Sequence, residues 1–273
     1  ASLNNIKIYG AGGENSIFTL SDSQDATILK ISSSNNVYIE GIGFNGNDSG
    51  QSDYTVFPYG EDALHGIELA NTDGVTITGC DIRNTRGCAI RARIHSNTVI
   101  DSNYLGGSDV GTPDQNGLNV LNNIVDWSDQ SYMENKGSGG ATPALPILSF
   151  GAYGLESTFK RRNVRIENNI FYQRNSGAGG DFVAHLGGGN TEGVTIFNNK
   201  LYGGGMGITT GKWGKDQIIV NNLVVIPSSS TLTGGYAGVE ITKDAQKVTL
   251  CSNRVECGGV LLFGIRTQSG LFQ

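Results

Sequence analysis

Carboxylate and guanidinium groups carry the chemistry this sequence could do. Glu68 stands between apolar neighbours in Ile67-Glu68-Leu69, and Arg91 and Arg93 alternate with apolar residues in Ile90-Arg91-Ala92-Arg93-Ile94. Alternation at period two puts such charged residues on the outer face of a strand whose other face is buried. Hydrolysing a glycosidic bond takes two carboxylates about 5–9 Å apart. Asp62, Glu68, Asp81 and Asp101 are candidates, with Asp109, Asp114 and Asp126 in or beside loops. Eliminating across a uronate takes a cation to neutralise its carboxylate and a base to remove a proton. Arg91, Arg93, His95, Lys212 and Lys215 are available for that work. From these sets Glu68, Arg91, Arg93, Asp62, Asp101 and Asp114 are taken as the catalytic candidates.

Binding candidates are flat side chains beside polar ones. Lys212-Trp213 offers an indole face for sugar C–H groups next to an ammonium. Tyr54, Tyr59, Trp127 and Tyr132 could serve likewise, and His185 joins the set if its strand register allows. Each reading has a plainer rival. Glu68 against Arg91 across one strand spacing is also an ordinary surface ion pair, worth little. Most of the Asp residues are natural turn formers, and loop aromatics often pack their own loops. Asn71-Thr72-Asp73-Gly74 matches a short hydrolase motif but is also an everyday polar turn. His65, His95 and His185 have no metal-ligand spacing, and His65 and His95 read as solvated or capping residues.

The elements that must position these residues repeat. Val75, Ile77, Cys80 and Ile82 set a frame of two alternating apolar positions, a polar or small residue three further on, and one more apolar point. Val37-Ile39-Ile42-Phe44, Thr98-Ile100-Asn103-Leu105, Val164-Ile166-Asn169-Phe171 and Val194-Ile196-Asn199-Leu201 follow it. So do Gln217-Ile219-Asn222-Val224 and Val248-Leu250-Asn253-Val255. A unit of about 20–25 residues with variable insertions marks a solenoid. The recurrent Asn suits a left-handed residue at a tight corner, and stacked rungs would also let the amides form a ladder. Gly117 to Asn122 is ambiguous. It matches a Gly-led first strand like Gly66 to Asn71, and it also fits the second-strand frame through Asn123 and Val125. The first reading is preferred because it needs no missing strand. It gives an outward column of Glu68, Arg91 with Arg93, Asn119, Thr209 and Glu240. Insertions at 45–64, 106–116, 172–180 and 227–236 all leave before a Gly-led first strand, so stacked rungs would line them along one edge. The 126–144 insertion joins them in one of the two registers.

Composition narrows the function classes. Net charge is −6, from 25 acidic and 19 basic side chains, which disfavours nucleic acid as a partner. An acidic polysaccharide stays open, since local basic patches occur on acidic proteins. No run of apolar residues is long enough for a membrane-spanning helix, so no membrane insertion is expected. Gly is 41 of 273 residues and Pro only 5, a usage that fits corners needing positive φ rather than a disordered tract. Cys80, Cys88, Cys251 and Cys257 read as four small buried side chains, with local disulfides as the alternative. The chain opens directly into a strand with no initiating Met or leader, which suggests a processed form or a fragment. Both end rungs look open, so a cap, a further domain or a neighbouring subunit is expected on each.

The frame and its Asn column resemble the right-handed parallel β-helix of pectate-lyase-like proteins, which include polysaccharide-degrading enzymes and phage tailspikes. The resemblance covers nearly the whole chain. It implies one all-β domain over residues 1–273, a right-handed parallel β-helix of about nine or ten rungs with long loops along one edge. It further implies binding and cleavage of a polysaccharide, by a hydrolase or a lyase, in a secreted or virion-surface protein. The alternative is a non-catalytic adhesion or structural module. No cofactor is expected, calcium being the one metal ion left open, and a homo-oligomer such as a trimer is expected by analogy.

Overall fold

The computed structural model describes residues 4–24, 26–47, 50–51, 65–85, 88–106, 110–111, 115–126, 148–149, 161–172, 182–185, 191–203, 206–210, 214–226, 236–241, 245–258 and 262–267. The chain opens with β1 (Asn4–Tyr9) and β2 (Ile17–Thr19), then β3 (Leu29–Ser32), β4 (Asn35–Glu40) and β5 (Gly43–Asn45). Next come β6 (Ile67–Thr78), β7 (Asp81–Arg83), β8 (Ile90–Asp101), β9 (Tyr104–Gly106), β10 (Val110–Gly111), β11 (Gln115–Leu121) and β12 (Ile124–Asp126). The coil continues through β13 (Leu148–Ser149), β14 (Arg161–Glu167), β15 (Ile170–Tyr172), β16 (Phe182–His185), β17 (Thr191–Phe197) and β18 (Lys200–Tyr202). It ends with β19 (Met206–Thr209), β20 (Lys215–Val220), β21 (Leu223–Ile226), β22 (Tyr236–Ile241), β23 (Gln246–Cys251), β24 (Arg254–Cys257) and β25 (Leu262–Thr267).

Every pairing among the described strands is parallel and joins one rung to the next. Third strands stack as a 9-stranded sheet in the order β2-β5-β7-β9-β12-β15-β18-β21-β24. First and second strands share a 16-stranded sheet, because β6 and β8 run unbroken from first strand through a bend to second strand. The protein is therefore a parallel β-helix. Its core is a set of stacked columns: Ile39, Ile77, Ile100, Val120, Ile166, Ile196, Ile219 and Leu250 in the second strands. Phe44, Ile82, Leu105, Val125, Phe171, Leu201 and Val224 do the same in the third, nearly all fully buried. Each such side chain is worth about 1.5–3 kcal/mol over an exposed one. Toward the ends, inward positions come out into solvent: in the third strands Phe18 is 56% exposed beside Phe44, and in the first strands Ile265 is 55% exposed beside Val239.

Positive φ recurs at the corners, most regularly at two of them. Between first and second strands one column of left-handed residues is Asn5, Asn36, Gly74, Asn97, Gly117, Asn163, Gly193, Asp216 and Lys247, with φ from 50° to 77°, and Ser33 and Asn71 are left-handed there too. Between second and third strands they are Gly41, Gly79, Ser102, Asn122, Asn168, Asn198, Asn221 and Ser252, with φ from 53° to 64°. The recurrent frame Asn is thus not the left-handed residue; that role belongs to the residue before it. The frame Asn points inward instead, forming a ladder. Asn103, Asn123, Asn169, Asn199 and Asn222 are buried, and each Nδ2 donates to the Oδ1 of the next at 2.9–3.0 Å. Each also donates to a second-strand carbonyl of the rung before, as Asn169 does to Val120 at 2.9 Å. The ladder satisfies polar groups at a dry corner that could not otherwise be paired.

Three expectations change. Gly117 to Leu121 is a second strand, with Leu118 opposite Thr98 and Val120 opposite Ile100, and the short β10 supplies the first strand of that rung. Asn119 accordingly leaves the Glu68 column. Second, the 106–116 insertion is not one loop, because β10 lies inside it. Third, only Cys80 and Cys88 are buried; Cys251 and Cys257 are exposed, and all four are free thiols. The connections β5 to β6, β9 to β10, β12 to β13, β15 to β16 and β21 to β22 each run from a third strand to a first strand. The segment between β12 and β13 therefore does leave from the common corner. Among the described residues no helix is long and apolar enough to cross a membrane.

Candidate functional site

The first-strand face beside that corner carries a continuous outer column. Lys30 pairs in register with Glu68, Glu68 with Arg91, Arg91 with Gly111, and Gly111 with Ser149. The column goes on through His185, Thr209, Glu240 and Arg266. His185, ambiguous from sequence, belongs to it. Arg93 stands two positions beyond Arg91 in β8, opposite Ala70. The side chains of Arg93 and His185 lie outside the described residues, as do Tyr54, Tyr59, Asp62, Asp114, Trp127, Tyr132, Lys212 and Trp213 altogether.

Glu68 is not a surface residue. It is 2% exposed, although it points away from a core formed by Ile67 and Leu69 on either side. Lys30 Nζ lies 3.1 Å from its carboxylate, the lysine side chain being mostly in solvent. Arg91 turns to His65: Nη1 is 3.1 Å from Nε2 of an imidazole that is 1% exposed. The other ring nitrogen, Nδ1, accepts the backbone N–H of Cys88 at 2.9 Å. A neutral imidazole that accepts at Nδ1 carries its proton on Nε2. The contact therefore brings a guanidinium N–H and the Nε2–H of a buried imidazole to within 3.1 Å of each other. Sequence reading placed His65 as a solvated or capping residue and overlooked Lys30. Leu29-Lys30-Ile31 has the same apolar-charged-apolar frame as Ile67-Glu68-Leu69 and could have flagged it.

Among the described residues, Asp81, Asp101 and Glu240 lie on other strands than Glu68. Asp101 lies on the second-strand part of β8, past the bend at Asn97, where its Oδ1 accepts from Asn122 Nδ2 at 2.8 Å and Ser102 Oγ at 3.1 Å. Glu240 shares the Glu68 column but six strand spacings of about 4.8 Å away, roughly 29 Å. That separation does not suit a hydrolytic pair. Asp81 is on the third-strand sheet, paired with Arg83, whose guanidinium also covers the Tyr104 ring at 4.4 Å. The Asp81 hydrogen bond raises the Arg83 pKa. Among the described residues no three His, Cys, Asp or Glu side chains gather as a metal site.

The Asn71-Thr72-Asp73-Gly74 stretch is a structural corner inside β6. Asp73 Oδ1 accepts from Ser96 Oγ at 2.6 Å and Asn97 Nδ2 at 2.8 Å, stapling one bend to the next. These bonds hold the Asp73 carboxyl below its usual range. A carboxylate whose folded pKa is depressed contributes stability above its unfolded pKa, and that contribution is lost as pH falls through the folded value. Asp73→Asn should therefore melt lower than the parent at pH 7, with the two melting curves converging as pH falls through the depressed folded value. A gap independent of pH would refute the staple.

Residues 65–224, more than half of the chain, match the family described as right handed beta helix region, and the chain belongs to that family. Its fold is similar to PfbA, a surface adhesin of Streptococcus pneumoniae, at 15% identity and a TM-score of 0.67, covering 94% of this chain and 60% of that one. It is similar to the ORF18 protein of Geobacillus virus E2 at 12% identity and TM-score 0.57, covering 93% and 48%. A third likeness is to the endo-xylogalacturonan hydrolase of Aspergillus tubingensis, at 10% identity and TM-score 0.54, covering 94% and 72%. The chain spans about three-fifths of the adhesin and half of the viral protein. No curated protein sequence matches it. The right-handed β-helix is thus a fold that this chain shares with an adhesin, a viral protein and a polysaccharide hydrolase.

Proposed function

We propose that this chain binds an extended polysaccharide along its first-strand face, outside the cell or on a virion surface. One observation carries the reading: ionisable side chains are buried at the outer column beside the corner from which the long connections leave. Glu68 and Glu240 are each 2% exposed, and His65, which lies beside the column against Arg91, is 1% exposed. Burying charge is costly and is commonly tolerated where function needs it. Apart from Gly111, the in-register column offers one polar group every 4.8 Å or so, close to the rise of one sugar along an extended glycan. The adhesin and the hydrolase support this reading through their own roles. Cleavage is the second reading, favoured by Glu68 and Arg91 sharing one register on adjacent strands, a carboxylate and a cation at neighbouring positions.

A screen of bacterial capsular, plant and algal polysaccharides tests both. Binding is read on immobilised glycans, hydrolysis by new reducing ends, and elimination by ultraviolet absorbance of unsaturated uronates. The proposal expects at least one glycan to bind. Reducing ends alone add hydrolase, both signals add lyase, and neither leaves an adhesion module. A chain that retains no glycan ends the proposal.

A further inference from the structure

A second concave site lies on a different face. Residues 10–16, linking β1 to β2, fold up over the outer side of the third-strand sheet. Gly12 N–H donates to Gly41 O at 2.9 Å, and Gly43 N–H donates to Ser16 O at 2.8 Å. Ala11 N–H donates to Ser16 Oγ at 2.9 Å, which fixes the link's shape. Two glycines make the approach. A Cβ on Gly43 would collide with the carbonyl oxygen of Gly13, and one on Gly13 would stand 2.6 Å from Asp81 Cβ. The link therefore reaches the third rung only because two side chains are missing. Between it and the sheet is a cleft of about 180 Å³, open to solvent.

The lining is mixed in a particular way. Glu14 and Asp81 supply carboxylates, Arg83 a guanidinium, Asn45 and Asn84 carboxamides, and Ile17 an apolar wall that is 55% exposed. The polar groups are preset. Arg83 Nε donates to Asp81 Oδ1, its guanidinium rests on Tyr104, and Asn84 Nδ2 donates to Asn45 Oδ1 at 3.2 Å. Two carboxylates against one guanidinium leave excess negative charge, which disfavours a phosphate or a uronate. The space is well below the roughly 300–1,000 Å³ of drug-sized ligand sites, so it suits one ring rather than a chain. Acceptors, donors and an apolar wall in so small a volume match the hydroxyls and the C–H face of a pyranose.

We infer that this cleft holds a single neutral pyranose residue, as a second carbohydrate subsite separate from the first-strand face. The inference does not depend on the first-strand proposal: that one is tested with polymers, this one with monosaccharides. Asp81 and Glu14 accept sugar hydroxyl protons, Arg83 and Asn84 donate to sugar oxygens, and Ile17 covers the C–H face.

The experiment uses the whole chain, isotope-labelled, titrated with the methyl α-pyranosides of glucose, galactose and mannose, and with glucuronate. At least one pyranoside should bind, with glucuronate weaker, and the shifted amides should fall at Asn45, Asp81, Arg83 and Asn84. Arg83→Ala and Ile17→Ser, both at exposed positions, should weaken that pyranoside roughly tenfold or more. The amide map of the parent chain carries the test even if a variant folds poorly. Three outcomes overturn the inference: no pyranoside bound, glucuronate bound more tightly than all three, or shifted amides confined to the Glu68 and Arg91 strands.

Discussion

Asn169→Ala should lower the free energy of unfolding by about 3–5 kcal/mol, a large share of what holds a chain this size together. The expectation follows from counting partners. Asn169 Nδ2 donates to Val120 O at 2.9 Å, Glu167 O at 3.1 Å and Asn199 Oδ1 at 3.0 Å. Its Oδ1 accepts from Asn123 N–H at 2.9 Å and Asn123 Nδ2 at 3.0 Å. Truncation leaves the Asn123 backbone N–H without its acceptor at a corner where water has no access, since Asn169 is 0% exposed and Asn123 1%. Each buried group left unsatisfied costs about 1–3 kcal/mol, far more than the net value of the bond itself. Asn253→Ala is the control. Asn253 plays the same part for Asn222 at 3.0 Å, but at the partly exposed end of the ladder, where water can substitute. Its cost should be about 1 kcal/mol. Urea titrations followed by circular dichroism would compare the two, and equal losses would show that burial of the ladder contributes nothing.

The coil was legible in the sequence for a reason visible in that ladder. A polar residue recurring at one place in an apolar frame is expensive unless stacking satisfies it, so Asn169, Asn199, Asn222 and Asn253 announce rungs piled in register. The middle rung was misread because two kinds of glycine look alike in a sequence. Gly66 opens a first strand, whereas Gly117, with φ of 77°, occupies the bend column shared with Asn97 and Asn163. The true first strand there is only Val110–Gly111, too short for alternation to register. That single slip moved Asn119 into the outer column in place of Gly111. A slip that preserves in-out parity does not disturb the hydrophobic pattern, so nothing in the pattern flags it.

The site was legible by direction only. Alternation showed that Glu68 and Arg91 point away from the core, and register placed them side by side. It could not show that Glu68 is buried, because the burial of an outward residue is set by groups distant in sequence, such as Lys30. His65 was missed for a similar reason. It precedes the strand and has no periodic neighbour, and its significance comes from meeting Arg91 across the rungs. The cleft beside Gly43 was also out of reach, since the glycine that admits the 10–16 link reads in sequence as one more outward position of a third strand.

Arg91→Ala should weaken glycan binding by roughly 10- to 150-fold, as expected for losing a charged hydrogen-bond donor to the ligand. From sequence, with the pair on the surface, stability would have been nearly unchanged. The buried setting alters that. Arg91 Nη1 lies 3.1 Å from His65 Nε2, and its strand neighbour is a Glu68 that solvent barely reaches. Removing the guanidinium takes a positive charge from beside a buried carboxylate, so a loss of about 1–3 kcal/mol in unfolding free energy should accompany the loss of affinity. Because a destabilised chain could bind poorly for trivial reasons, Arg91→Lys separates the two effects. Lysine keeps the charge and so should restore most of the stability. It lacks the planar fork that grips a carboxylate or a pair of hydroxyls, so affinity should stay at least severalfold below the parent. Folded Arg91→Ala with parental glycan affinity would remove this face as the binding surface, and full rescue of both properties by lysine would reduce Arg91 to a structural counter-charge.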